Sequence, residues 1–222
     1  KSLHILLKEL CKINGLRWIR ILYCYPEEIT DEVIQTIKKE PKVCHYLDIP
    51  IQHASDNVLK RMGRRTNQEQ LRTMITRLRE EIPDICLRTT LITGFPGETE
   101  LRFRRMMSDL KRMQFDHLGA FAYSPEKGTK GFGMSRRPSA AVARAREEAV
   151  MRQQEEIWKV KSARMLGGIY RALVVAPGVA RMESQAPDVD GVVYLDRPGE
   201  VGQFVDVKLK KVKGFDFKGE II

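Results

Sequence analysis

The chain has 222 residues, 39 Lys and Arg against 29 Asp and Glu for a net charge of +10, and 42% hydrophobic and 31% charged residues. That composition belongs to a packed fold and excludes disorder as the main state, while the length allows one large domain or a large one with a small one. No apolar run approaches the roughly 18–20 residues that span a bilayer and no signal-peptide pattern opens the chain, so a cytoplasmic protein without a membrane partner is expected.

Lys1 runs straight into Leu3, Ile5, Leu6, Leu7 and Leu10, the texture of a domain interior, and an N-terminal portion is expected to precede it. Up to about residue 124, short apolar runs alternate with longer amphipathic ones, which argues for β/α units around a parallel sheet. Trp18–Tyr25 predicts a strand ended by Pro26, and Thr30 a cap for a helix whose stripe is Val33, Ile34 and Ile37. Val43–Ile51 predicts the second strand. Thr66 and Glu69 stand at capping-box spacing before Leu71, Met74, Ile75, Leu78 and Ile82, which recur at helical intervals. Ile85–Thr93 predicts a third strand, Leu101–Met113 a helix and His117–Tyr123 a fourth strand.

From Ser139 to Leu166 the Ala, Arg, Glu and Gln content suits one long exposed helix, which Gly167 and Gly168 interrupt. Short β-branched runs follow at Tyr170–Val175, Gly191–Leu195, Val205–Val212 and Phe215–Ile222. Val205, Val207 and Leu209 alternate with Asp206, Lys208 and Lys210, as in a half-buried antiparallel strand. A small closed barrel is the expected packing, because closure removes sheet edges. The fold class is therefore α/β: a partial parallel β/α barrel over 1–138, a connecting helix over 139–168 and a small antiparallel β-barrel over 169–222.

Charge is uneven along this layout. Residues 1–100 hold 16 basic and 14 acidic side chains, 101–168 hold 15 and 7, and 169–222 hold 8 and 8. The excess over 101–168 either attracts a polyanion such as nucleic acid or a ribosome, or solvates a helix face. Cys11, Cys24, Cys44 and Cys86 have no chelating spacing and read as buried reduced thiols, so no metal ligand is assigned.

Three segments at strand C-termini, where parallel β/α folds bind ligands, offer chemistry. In Leu91–Thr99 (LITGFPGET), Gly94 and Gly97 permit a tight turn or a close approach to a ligand, and Glu98 and Thr99 start the next helix. In Asp48–Ser55 (DIPIQHAS), Asp48, Gln52, His53 and Ser55 offer donors and acceptors for a ribose or an amino-acid group. In Phe121–Thr129 (FAYSPEKGT), Phe121 and Tyr123 are core residues or a stacking surface for a purine. Arg88, inside an apolar strand, needs a partner: a carboxylate within the barrel, or that of a substrate.

DIPIQHAS with DNVLKRMGRRT, LRTTLITGFPGETE and AYSPEKGT resemble, in order and spacing, the radical S-adenosylmethionine methylthiotransferases. Gly178–Leu195, with SQAPDVDGVVYL, is similar to the TRAM barrel of the RimO type, which modifies an aspartate of a small-subunit ribosomal protein. The MiaB type, which modifies tRNA, shares the first three motifs and lacks the Ala-Pro-Asp-Val-Asp-Gly stretch. The resemblance implies a partial radical SAM barrel and two [4Fe–4S] clusters. One would cleave S-adenosylmethionine to a radical that takes hydrogen from the aspartate β-carbon. The other would supply sulfur, methylated by a second S-adenosylmethionine. The family's cluster cysteines lie upstream of these motifs, so the chain by itself is expected to lack them and to be inactive.

Carried over by motif, Gln52 faces the ribose and methionine part of the cofactor, and Ile92, Gly94 and Phe95 its adenine side. Gly97 and Glu98 form the turn that Glu98 braces, Phe121 and Tyr123 close the adenine pocket, and Arg88 joins the same set. The family's Asp-Leu-Trp-Gly signature reads Asp216-Phe217-Lys218-Gly219 here. The implied partner is a small-subunit ribosomal protein, free or in the assembled subunit. A tRNA substrate ranks behind it, because the barrel is neutral and Glu183, Asp188, Asp190, Asp196 and Glu200 face only Arg197 across residues 183–200. A non-catalytic ribosome- or RNA-binding module is the reading from another class.

Overall fold

Each parallel strand is an apolar run stopped by Gly, Pro or a polar turn, and the first three are each returned to the sheet through a capped amphipathic helix. The computed structural model describes residues 2–222. Its first part contains α1 (Leu3–Cys11), β1 (Ile19–Ile21), α2 (Asp31–Lys39), β2 (Val43–Asp48), α3 (Asp56–Arg61), α4 (Gln68–Glu81), β3 (Cys86–Thr93), α5 (Glu100–Met113) and β4 (His117–Ala122). The four strands form a parallel sheet in the order β1-β2-β3-β4. A 26-residue helix, α6 (Ala140–Met165), follows. Then come β5 (Ile169–Ala176), β6 (Val179–Met182), β7 (Val193–Leu195), β8 (Phe204–Lys213) and β9 (Asp216–Ile221), closed into a barrel in the order β5-β6-β7-β9-β8.

Side-chain oxygens accept the first free amides of these helices: Thr30 from Val33, Thr99 from Arg102 and Ser139 from Val142. The capping box of α4 lies one residue later than expected. Asn67 accepts the Gln70 amide at 2.8 Å and Gln70 Oε1 accepts the Asn67 amide at 2.9 Å, whereas the Thr66 hydroxyl donates to Glu27. Thr66 and Glu69 share the spacing of this pair, and the Asn/Gln pair takes the box. The strand expected over Trp18–Tyr25 is short, Ile19–Ile21: the backbone turns at Tyr23, with a φ of 57°, before Pro26 opens a 3-10 turn.

The exposed helix expected after residue 139 is half buried. Ala143, Arg146, Val150, Gln154, Ile157, Trp158 and Ser162 form a continuous inward stripe. Its polar members are paired: Gln154 Nε2 donates to the carbonyls of Phe115 (3.0 Å) and Asp116 (3.2 Å), and Ser162 to Trp158. Trp158 enters the barrel core beside Ala172, Met182, Val207 and Phe217, and its indole donates to Gly214 O at 2.8 Å. One helix therefore belongs to both cores. Phe217, in the departing Asp-Phe-Lys-Gly stretch, is fully buried against Trp158 and presents no surface contact.

Alternation along β3 divides the two faces of the sheet. Leu87 and Leu91 pack toward the helices, while Cys86 lies on the opposite face with Cys44 and Tyr46. At the strands' N-terminal ends the barrel's 184–190 loop covers that opposite face. Ala186 joins its small apolar cluster, and Ser184 O accepts from Cys86 Sγ (3.4 Å) and lies 3.1 Å from His117 Nε2. The strands' C-terminal ends are left open.

Candidate functional site

At those C-terminal ends lies a cleft of about 590 Å³, walled by Gln52, Ile92, Phe95 and Tyr123 and edged by Lys60, Arg61, Arg64 and Lys130. After β2 the chain stays alongside β3, with Gln52 N donating to Thr90 O and Ile92 N to Gln52 O, both at 2.9 Å. Gln52 has a φ of 67°, and at this bend its side chain lines the cleft. Phe95 and Tyr123 meet edge to face at 4.9 Å between centroids. Tyr123 Oη is buried without a hydrogen-bond partner. The cleft thus combines an apolar wall, one amide, one unsatisfied hydroxyl and an edge of four cations with one acid, Glu126.

Beneath it Glu98 organises a buried polar cluster. Its fully buried carboxylate accepts the Gly94 amide (3.1 Å) and the Arg146 guanidinium (2.7 Å), and His53 Nε2 lies 3.2 Å away. His53 Nδ1 accepts the Ser55 amide at 2.9 Å, which assigns the ring proton to Nε2 for donation to Glu98. Both ring nitrogens are used, so His53 is withdrawn from the ligand set that DIPIQHAS suggested. Gly94, at φ 76°, faces α6, where a Cβ would overlap the side chain of Ala143. Gly97, at φ 93°, gives room to Arg61, whose Cδ would lie 2.8 Å from a Cβ there. At both glycines the missing side chain makes room for a neighbouring segment of the fold.

The structure therefore gathers Gln52, Ile92, Phe95 and Tyr123 at the cleft, while Arg88, Gly94, Gly97, Glu98 and Phe121 lie off its wall. Phe121, 60% exposed, stands on the strand pair beside Ile92. Arg88 takes the carboxylate-bridge alternative, at 3.4 Å from both Asp48 Oδ2 and Asp190 Oδ1. Burial holds the Asp48 carboxyl above the usual carboxylate range, opposed by Arg88. Asp190 is turned inward with a side chain 1% exposed, and Glu183 accepts the His45 amide at 2.6 Å. The acidic surface expected over residues 183–200 is correspondingly reduced. The cationic edge was missed as a site, although the string KRMGRRT (residues 60–66) carries it in sequence.

Burial pushes the Cys24 thiol up to about 11, Cys44 to about 12 and Cys86 well above its ordinary value. Among the described residues, no group of three or more His, Cys, Asp or Glu side chains is placed to hold a metal ion, and no helix is long and apolar enough to cross a membrane.

Residues 2–110 match the Radical SAM superfamily and residues 167–222 the TRAM domain. The chain is 46% identical over 227 residues to the ribosomal protein uS12 methylthiotransferase RimO of Lachnoclostridium phytofermentans, covering 99% of this chain and 52% of that protein. It is 44% identical over 224 residues to the RimO of Desulfitobacterium hafniense, covering 98% of this chain and 50% of that protein. The RimO of Geobacter sulfurreducens is 46% identical over 229 residues, covering 100% of this chain and 51% of that protein. The chain thus spans about half the length of the curated relatives it matches. Among solved structures, coproporphyrinogen III oxidase (HemN) from Escherichia coli, a radical SAM enzyme, shares the fold. Its TM-score is 0.56 at 20% identity, covering 70% of this chain and 36% of that one.

Proposed function

Because the chain belongs to the RimO type of the radical S-adenosylmethionine methylthiotransferases, we propose that the protein adds a methylthio group to the β-carbon of an aspartate in the small-subunit ribosomal protein uS12. The observation that carries this reading is an identity of 42–46% to uS12 methylthiotransferases that extends through the barrel as well as the sheet. The barrel is where the tRNA-modifying type would diverge.

Radical SAM membership implies S-adenosylmethionine and a [4Fe–4S] cluster. The cleft suits the first. Ile92, Phe95 and Tyr123 offer the adenine an apolar wall, Gln52 offers an amide to the ribose, and the unpaired Tyr123 hydroxyl needs a polar partner. When bound, this cofactor supplies the methyl group and the radical chemistry. Glu98 acts one layer below, holding the Gly94 amide and α6 in place so that the wall keeps its shape. The cluster has no comparable fit: the thiols are dispersed, and burial holds Cys24, Cys44 and Cys86 protonated. Its ligands, and those of a second [4Fe–4S] cluster as sulfur source, are assigned to residues outside this chain. The protein is placed in the cytoplasm, where its ribosomal substrate is made.

The test is mass spectrometry of uS12 and of tRNA from a strain lacking the gene. Loss of the methylthio mass on uS12 with tRNA unchanged is expected. Loss on tRNA with uS12 unchanged replaces this reading with the tRNA type, and no loss on either leaves the non-catalytic module.

A further inference from the structure

The charge around the cleft is concentrated in two short segments. On α5 and α6, Arg104 pairs with Glu100 (2.8 Å), Arg152 with Glu148 (3.6 Å) and Lys159 with Glu156 (2.5 Å), each about one turn away, while the exposed Arg105, Lys111, Arg112, Arg144 and Arg164 are spread along the helices. Lys60, Arg61 and Arg64 line the cleft edge and come, with Arg65, from the end of α3 and the loop after it. Lys130 lines it from the loop between β4 and α6, which also carries Lys127, Arg136 and Arg137. None of these eight stands among the ion pairs of the described residues. The acids of the same two segments, Asp56 and Glu126, accept the Gln68 amide and the Ser124 hydroxyl and keep their charge, so eight positive side chains stand against two negative ones.

The two loops are held side by side. Arg61 Nη2 donates to Ser135 O at 3.1 Å, and Arg136 O accepts from the Gly97 amide at 2.9 Å. Like charges gathered on two tied loops repel one another, and a polyanion relieves that repulsion while releasing its counterions. Aromatic rings are interleaved with them. Tyr25, 42% exposed, lies under Arg64 at 5.1 Å, and Phe132 of the second loop is 44% exposed. Carboxylates of an acidic protein gain nothing from exposed ring faces, whereas unpaired bases stack on them.

We infer that the rim of the cleft is a binding surface for single-stranded RNA, its two basic loops gripping the phosphate backbone while Tyr25 and Phe132 take bases. Taken with the proposed function, on which this second step rests, the protein substrate is met in an RNA-bound setting. The RNA grip then lies on the radical SAM part and not on the neutral barrel.

The experiment is fluorescence anisotropy of the full-length protein with a labelled 15-nucleotide single-stranded RNA between 50 and 200 mM salt. The test protein carries Arg65→Glu, Lys127→Glu and Arg137→Glu, three exposed residues away from the cleft wall. The control carries Arg104→Glu, Arg152→Glu and Lys159→Glu, the same charge change on the helices. The wild type should bind more weakly as salt rises. The rim variant should lose at least tenfold in affinity, with a salt slope smaller by about 2, roughly 0.7 per single-stranded phosphate contact. The control should lose less than threefold, and circular dichroism should show both variants folded. Equal losses in rim and control variants, or competition by polyglutamate as strong as by RNA, overturns the inference. The methylthio measurement on uS12 is read separately. Absent RNA binding with uS12 still modified removes only the RNA surface. RNA binding with tRNA modified in place of uS12 removes only the substrate.

Discussion

The Tyr46 hydroxyl on the sheet donates to Asp190 of the barrel at 2.7 Å, and the same carboxylate accepts the Ala186 amide at 2.9 Å and faces Arg88 and His117. Asp190 thus serves the sheet and its own loop at once. Replacing it by Ala leaves the Tyr46 hydroxyl unpaired and Arg88 with Asp48 as its remaining carboxylate partner. Loss of one member of a buried charged pair costs about 3–5 kcal/mol. At about 2–4 °C per kcal/mol for a chain of this size, Asp190→Ala should melt roughly 6–20 °C lower by calorimetry. A shift under 2 °C would remove this carboxylate from the forces joining sheet and barrel.

Glu98 and Arg146 form the corresponding tie between the β3 turn and α6, with side chains 0% and 9% exposed. Arg146→Met strands the Glu98 charge and should cost about 3–5 kcal/mol in urea unfolding. Glu98→Gln alone leaves Arg146 with Glu100 at 3.2 Å, and should cost less. The double variant should recover part of the Arg146→Met loss, with a coupling of about 1–3 kcal/mol. Strict additivity would mean the two groups act separately.

The succession of strands and helices along the chain was legible because the apolar runs are long and each is stopped by Gly, Pro or a cap. What escaped lacks local pattern. α3 has six residues and β6 four, too few for either period to register; α1 is the exception, since Leu3, Leu6, Leu7 and Leu10 do recur at helical intervals. The inward stripe of α6 was hidden because Arg146, Gln154 and Ser162 are polar and become buried only by pairing with Glu98 and with backbone carbonyls supplied elsewhere. Arg88 announced that it needed a carboxylate, but Asp190 lies far downstream, and no spacing rule reaches that distance. At the cleft, motif positions placed Gln52, Ile92, Phe95 and Tyr123 together. They did not separate these from Gly94, Gly97 and Glu98, which share the motif and support it from below.

Gly94→Ala should be destabilising for two separable reasons. Its φ of 76° costs a side chain about 1–2 kcal/mol, and the new methyl overlaps Ala143 for about 1–3 kcal/mol more. Ala143→Gly on the same background should relieve only part of the overlap, because the Cα of residue 143 still lies 2.9 Å from the new methyl, and should leave the first cost unchanged. A Gly94→Ala protein as stable as wild type would show that the β3 turn and α6 do not pack this closely.

Tyr123→Phe removes the unpaired hydroxyl and keeps the ring against Phe95. In titration calorimetry of the full-length protein with S-adenosylmethionine, it should weaken binding by about 2–10-fold, one hydrogen bond of about 0.5–1.5 kcal/mol. Tyr123→Ala, which also removes the apolar wall, should weaken it further. Equal affinity in all three proteins would move the cofactor out of this cleft.

Burial raises the thiols, which fixes the sign of an alkaline effect. A thiol whose folded pKa exceeds its unfolded one stabilises the fold fully below the unfolded value of about 8.5, and this contribution is lost as pH rises through the folded value. For Cys44 the folded value is about 12 and for Cys24 about 11, so the loss should begin near pH 9 and grow by up to about 1.4 kcal/mol per thiol and pH unit. Urea unfolding at pH 8.0, 9.5 and 10.5 should show falling stability in the wild type and a shallower fall in Cys44→Ala. In the native protein at pH 8 the half-buried Cys11 should react first with a thiol reagent, while Cys24, Cys44 and Cys86 stay protected until the chain is unfolded. Parallel alkaline limbs in wild type and Cys44→Ala, or four thiols reacting at one rate in the native protein, would contradict the burial of these side chains.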